Sequence, residues 1–409
     1  MPRTRRALPG IVVILLACCL GAALAAGALA SDPIQEFIGR HWRQPLAPQG
    51  APPPGFSAIE ASLHPEACAT CHAVQYTDWR TSLHARSMGP GVAGQLVEML
   101  ESDPESALAC YTCHAPLAEQ APRVASAQGF RPNPLLDPAL RTKGLTCAAC
   151  HVRAHERFGP PRRDGTFTSE TPRERLPHRG VTRTAAFLRS EFCQGCHQFT
   201  ADGFALNGKL LENTYDEWKA SDFARRGVQC QDCHMPDRRH LWRGIHDADM
   251  VRSGLTITVT ADKGRYRAGE TLVATLTVTN TGVGHAFPTY VTPRVVLRAE
   301  LLDARGGVIA GTRVERAIAR EVALDLSSES FDTRLFPGQR AALAYRRLVP
   351  AAAARARFRV VVDPDAFYTR FFETLLAQGA GRGAREIRAA LAASRRSSFT
   401  VFERALPLD

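Results

Sequence analysis

The chain is poor in two residue types, and each scarcity narrows what it can be. Only four lysines occur in 409 residues, Lys143, Lys209, Lys219 and Lys263, so the positive charge is almost entirely arginine. Methionine is nearly as rare, with only Met88, Met99, Met235 and Met250 after the first residue. Of the twelve cysteines, Cys18 and Cys19 lie in the N-terminal apolar segment and the other ten fall into one repeated pattern. That leaves no cysteine for a disulfide framework or a lone catalytic thiol. The formal charge is +11, to which Arg3, Arg5 and Arg6 contribute before any acidic residue occurs.

The repeated pattern is CxxCH. Its copies are Cys68-Ala-Thr-Cys71-His72, Cys110-Tyr-Thr-Cys113-His114, Cys147-Ala-Ala-Cys150-His151, Cys193-Gln-Gly-Cys196-His197 and Cys230-Gln-Asp-Cys233-His234. Two cysteines at this spacing each add across one vinyl group of a porphyrin, and the histidine that follows lies under the ring, placed to bind iron. Zinc ribbons and thioredoxin-like pairs also use CxxC, but they do not put a histidine after the second cysteine in every copy. Five covalently bound haems c are therefore expected, with His72, His114, His151, His197 and His234 as proximal iron ligands. Their propionates would add about ten negative charges, moving the holoprotein toward neutrality. The arginines then read as counter-charge for propionates, a task suited to a bidentate fork, and not as a nucleic-acid surface.

Residues 1–30 have a basic start, an apolar body and Ala28-Leu29-Ala30 before Ser31-Asp32, the layout of a Sec-type secretory signal. Export to the periplasm or the cell-envelope exterior is expected. The apolar run is also long enough to remain as a membrane anchor, and Leu15-Leu16-Ala17-Cys18 leaves a lipid on Cys18 as a third route. Residues 31–56 are a proline-rich linker, and 44–56 should form a stiff extended spacer. Residues 57–250 form the haem domain, whose motifs begin at 68, 110, 147, 193 and 230. So little chain cannot enclose five separate pockets, so the porphyrins should supply much of the core and lie close to one another. Short helices, for example at 215–224, should carry the motifs, with loops such as 132–138 and 159–165 between them.

Residues 251–409 change character. Leu255, Ile257 and Val259, then Leu272, Ala274, Leu276 and Val278, alternate with threonines at the period of half-buried strands. Further strands are expected at 294–303, 308–318, 341–348, 357–362 and 399–402. About seven short strands suggest an immunoglobulin-type β-sandwich. Phe367, Phe371, Phe372, Leu375 and Leu376 fall at helical spacing, so a helical hairpin at 366–396 should interrupt the last strands, its aromatic stripe serving as core. The expected fold is multidomain: an irregular, short-helical multihaem domain followed by an all-β sandwich with a helical insertion.

A second axial ligand decides between electron transfer and catalysis. Eight histidines remain, in the order of preference His84, His246, His178, His285, His240 and His155, with His64 and His41 last. His155 is a weaker candidate, because four residues after His151 on a helix it shares that face and does not reach across the same ring. Methionine is the rival ligand, and its scarcity favours two histidines per iron. Low reduction potentials follow, since axial methionine is what raises them. His285 lies in the loop Asn280-Thr-Gly-Val-Gly-His285-Ala-Phe-Pro-Thr289 of the β domain, and as a distal ligand it would couple docking of the two domains to iron coordination.

Taken together, CxxCH followed by WxxSxHA over 68–85, FCxxCHQF at 192–199 with His178 upstream, HxWxGxH at 240–246 and the GHAFPT loop resemble multihaem cytochromes of the c-554/c-552 type, in particular those with a C-terminal β-sandwich. The resemblance implies bis-histidine haems packed in pairs, with His84, His178, His240, His246 and His285 as distal ligands. Where the family loop continues with glycine after FPT, this chain has Tyr290. Pentahaem nitrite reductases share the haem count but carry CxxCK at the active site, which this chain lacks. Hydroxylamine oxidoreductases have more haems and a tyrosine crosslink that none of these tyrosines can be assigned. The expected role is an electron carrier in a respiratory chain, between a donor such as a quinol-oxidising protein and a terminal reductase or other acceptor. The alternatives are a reductase of a small nitrogen or sulfur oxyanion at one open haem, and a wiring subunit docked through the sandwich to a partner or to its own copies as a homo-oligomer.

Overall fold

The computed structural model describes residues 32–409. The signal or anchor expected at 1–30 lies outside them, and among the described residues no helix is long and apolar enough to cross a membrane. Helix α1 (Pro33–His41) opens with Asp32 as its cap, whose carboxylate accepts from the Ile34 amide at 2.9 Å. It presses Phe37 and Ile38 against Ala186 and Phe192. The proline-rich segment after it is extended but not free-standing. Leu46 is buried with Leu117 and Leu140, and the Gly50 carbonyl lies 3.0 Å from His155 Nε2. A chain without internal hydrogen bonds has free backbone groups, and here the haem domain uses them.

The haem domain is a set of short helices joined by irregular chain. The second motif ends a longer helix, following α2 (Pro90–Ser102) in α3 (Pro104–His114), and the fourth ends α4 (Glu191–His197). The third and fifth occupy single turns, Cys147–His151 and Cys230–His234. The helix expected at 215–224 is two, α5 (Thr214–Lys219) and Asp222–Arg225. Ser221 divides them because its hydroxyl caps the second one, accepting from the Ala224 amide.

The C-terminal domain has strands β1 (Leu255–Ala261), β2 (Thr271–Asn280), β3 (Arg294–Asp303), β4 (Val314–Ile318), β5 (Arg320–Val322), β6 (Glu329–Asp332), β7 (Arg340–Leu348), β8 (Ala353–Asp363) and β9 (Phe399–Pro407). One sheet runs β7-β2-β1 and the facing one β4-β3-β8-β9, while β5 and β6 form a separate hairpin. Alternate residues of β2 are buried along its length, and Leu272, Leu276 and Val278 meet Leu297, Phe358 and Val360 in one core. Each such side chain contributes about 1.5–3 kcal/mol by leaving water. The strand expected from 308 begins only at Val314, because Gly311 turns the chain at φ 73° and Thr312 bonds back to the Leu301 amide.

Two devices fasten the β domain to the haem domain. The hairpin α6 (Ala366–Gln378) and α7 (Ala384–Ser394), inserted between β8 and β9, lies on α2. A Cβ on Gly383 would come within 2.1 Å of the Gly94 carbonyl oxygen, so only glycine allows that approach. The second device is a charged clamp around β5 and β6. Arg320, 1% exposed, donates to the carbonyls of Leu206, Lys209 and Leu210 and to Glu329. Arg334 donates to Asp332, to the Thr289 carbonyl and to Glu217 on α5.

Candidate haem sites

Four of the motif histidines face a histidine from elsewhere in the chain at one repeated spacing. Ring centroids are 6.5 Å apart for His72 and His178, 6.2 Å for His197 and His84, 6.2 Å for His151 and His240, and 6.3 Å for His234 and His285. A histidine–metal bond is about 2.0 Å. Two such bonds in line, with the inner half of each ring added, span about 6 Å. The pairs therefore fit an iron held between two imidazoles. No histidine stands at this spacing from His114 among the described residues.

Each facing histidine is set by a local device. His84 belongs to a turn whose carbonyl accepts from the Leu145 amide at 2.9 Å, and a Cβ on Gly144 would meet that carbonyl oxygen at 2.5 Å. Ser87, in the same turn, accepts from His114 Nδ1 on its carbonyl at 2.8 Å. Glu60 holds the His178 amide at 2.7 Å. Asp78, only 4% exposed, accepts from Arg239 through both oxygens at 2.7 and 2.6 Å and from the His240 amide at 3.0 Å. His285 is placed by Glu217, which accepts from the Ala286 amide at 3.1 Å and the Thr289 hydroxyl at 3.0 Å.

Burial keeps these imidazoles neutral, the form that binds metal. Loss of hydration lowers His84 to about 3 and His151, His197 and His285 to about 4. It also lowers His178, His234 and His240. The remaining candidates are committed elsewhere. His155 Nε2 bonds the Gly50 carbonyl, His41 Nε2 the Cys150 carbonyl at 2.9 Å, and His64 pairs with Asp137 at 2.7 Å. His246 pairs with Asp365 at 3.1 Å and faces no motif histidine. That carboxylate meets one of its two ring nitrogens, Nε2.

The attachment cysteines of different motifs meet. Cys68 lies beside Cys147, Cys113 beside Cys196, and Cys193 beside Cys230. The fourth motif thus adjoins the second and fifth, and the first adjoins the third. The sequence reading missed Asp78, Glu60 and Glu217. Each is an isolated acid between motifs, and only its distant amide partners reveal its role.

The sequence profile of the cytochrome c554 and c-prime family matches residues 67–133 and 146–235. Among solved structures, a penta-heme cytochrome c552 from Thermochromatium tepidum is similar at 19% identity, covering 86% of this chain and 100% of its own, with a TM-score of 0.59. A CARDB domain from Pyrococcus furiosus aligns with 27% of this chain and 68% of its own at 15% identity and a TM-score of 0.17. No curated protein sequence matches.

Proposed function

We propose that this chain, a multihaem c-type cytochrome of the c554/c552-like family with a C-terminal β domain, holds five haems c outside the cytoplasmic membrane and conducts electrons among them. Four irons take two histidines each: His72 with His178, His151 with His240, His197 with His84 and His234 with His285. The observation that carries this reading is the shared spacing of those four pairs, 6.2–6.5 Å between ring centroids. The residues bind, orient and tune the haems, and the bound haems supply one-electron chemistry. Redox partners on either side, a quinol-oxidising donor and a terminal reductase or other acceptor, complete the chain. The N-terminal signal pattern supports export.

A second reading has its own observation, the missing histidine opposite His114. An iron held by His114 alone keeps one position open, as a reductase of a small nitrogen or sulfur oxyanion requires. The hairpin lies near this motif: loss of hydration pushes the Tyr368 hydroxyl up, and the charges of Asp365 and Cys110 add to it. Haem counting by mass together with the electron paramagnetic resonance spectrum of the oxidised holoprotein tests both. Five haems with four low-spin signals and one high-spin signal are expected. A high-spin signal that shifts on adding nitrite or hydroxylamine favours the enzyme. Five low-spin signals remove it and leave the carrier, and a count below five sinks the five-haem reading.

A further inference from the structure

On a haem-bound imidazole, the proton on Nδ1 is the handle by which the surrounding protein changes ligand strength. Three motif histidines offer theirs to main-chain carbonyls: His114 to Ser87 at 2.8 Å, His151 to Phe158 at 2.8 Å and His234 to Arg243 at 2.6 Å. His197 differs. Its Nδ1 lies 2.9 Å from the hydroxyl oxygen of Tyr290, in the β-domain loop that also carries His285. Loss of hydration pushes the Tyr290 hydroxyl up, and the Glu212 carboxylate, which accepts from the Thr214 hydroxyl at 2.9 Å, lies close enough to add to that. Glu212 forms no ion pair among the described residues, and burial raises its carboxyl to about 7. The ring facing His197, His84, has a buried Nδ1 with no hydrogen-bond partner. Tyr290 is therefore the one hydrogen bond on this axial pair among the described residues, and it comes from a side chain.

We propose that Tyr290, backed by Glu212, is a positioning residue that sets the reduction potential of the haem at the fourth motif. The inference rests on the haem reading above. A hydroxyl oxygen whose own proton is drawn toward a carboxylate is a stronger acceptor than a lone phenol. A stronger acceptor at Nδ1 makes His197 a more basic ligand, which favours the oxidised iron and lowers the potential. The tuned step is a one-electron reduction with no bond made or broken, the electron coming from an adjoining haem. Its place in the molecule gives it leverage. The fourth motif adjoins the second and fifth, so a low potential there discourages electrons from resting at the junction. The glycine that the resembling family carries after FPT has no side chain to make this bond.

The test is Tyr290→Phe in the full-length holoprotein, which keeps the ring and removes the acceptor. One of the five midpoint potentials should rise by the equivalent of about tenfold in its reduced-to-oxidised ratio, which is about 59 mV for a one-electron couple. Haem count and low-spin character should stay as in the parent. Glu212→Gln should move the same potential in the same direction by less, and it serves alone if Tyr290→Phe does not fold. Unmoved potentials in both variants overturn the proposal. So does a common drift of all five, which is what a purely structural role would give. A parent protein with no low-spin haem at the fourth motif overturns this and the haem reading together.

Discussion

At the scale of the residue, the facing histidines are separable, and each iron reports on its own. His285→Ala should convert one low-spin haem to high spin while the other pairs persist, because the other imidazoles near His234, His84 and His197, face each other; the electron paramagnetic resonance spectrum reads this directly. Asp78→Asn is a subtler probe. The Asp78 carboxylate is held below the usual range by its hydrogen bonds to Arg239, with loss of hydration opposing and the His240 amide adding to them. Charge-assisted hydrogen bonds contribute about 1.5–3 kcal/mol each, but the Arg239 side chain is half exposed at 49%. A loss near the lower end, about 1.5 kcal/mol in denaturant unfolding, is expected. The haem facing His240 should then be the one whose low-spin signal broadens.

At the scale of the element, one loop does two jobs. Residues 280–290 leave β2, place His285 across from His234 and Tyr290 beside His197, and are held by Glu217 and Arg334. Gly284 allows this, since a Cβ there would meet Phe223 and Trp218 at 3.2–3.3 Å. Arg334→Met removes the cation and leaves Glu217 buried with no partner charge, a change that costs about 3–5 kcal/mol. The thermal midpoint should fall, and the haems of the fourth and fifth motifs should change together. If only one of them changes, the loop does not act as a unit.

At the scale of the whole molecule, docking of the β domain carries a pH signature. Loss of hydration pushes Asp332 and Glu329 up, but hydrogen bonds to Arg334, Lys209 and Arg320 outweigh it and hold both carboxyls below the usual range. A carboxyl depressed by folding adds stability above its unfolded pKa, about 4, and that stability is lost as pH falls through the folded value. Glu217, which burial raises, works in the opposite sense and moderates the loss. Acid titration of the oxidised protein below about pH 4 should therefore release the clamp. The fifth motif's haem should turn high spin before the haem facing His178, which depends on Glu60 inside the haem domain. The reverse order would show that the clamp is not the acid-sensitive joint.

The sequence by itself determined what is covalent and what is periodic. Five CxxCH copies specify the cofactor because the bond-forming atoms are neighbours in the chain, and the alternation of Leu272, Leu276 and Val278 specifies a sandwich face because strand pleating is local. The pairing of the facing histidines was beyond it. His84 faces His197, and His178 faces His72, across more than a hundred residues, and each is aimed by an acid, a carbonyl or a glycine on another segment. His246 has the same motif context as His240, yet its Nε2 pairs with Asp365, at the start of the helical insertion. Tyr290 stood out in the sequence only as a departure from a familiar loop. Its role depends on a distance of 2.9 Å, and only the packing of two domains brings it that close to His197.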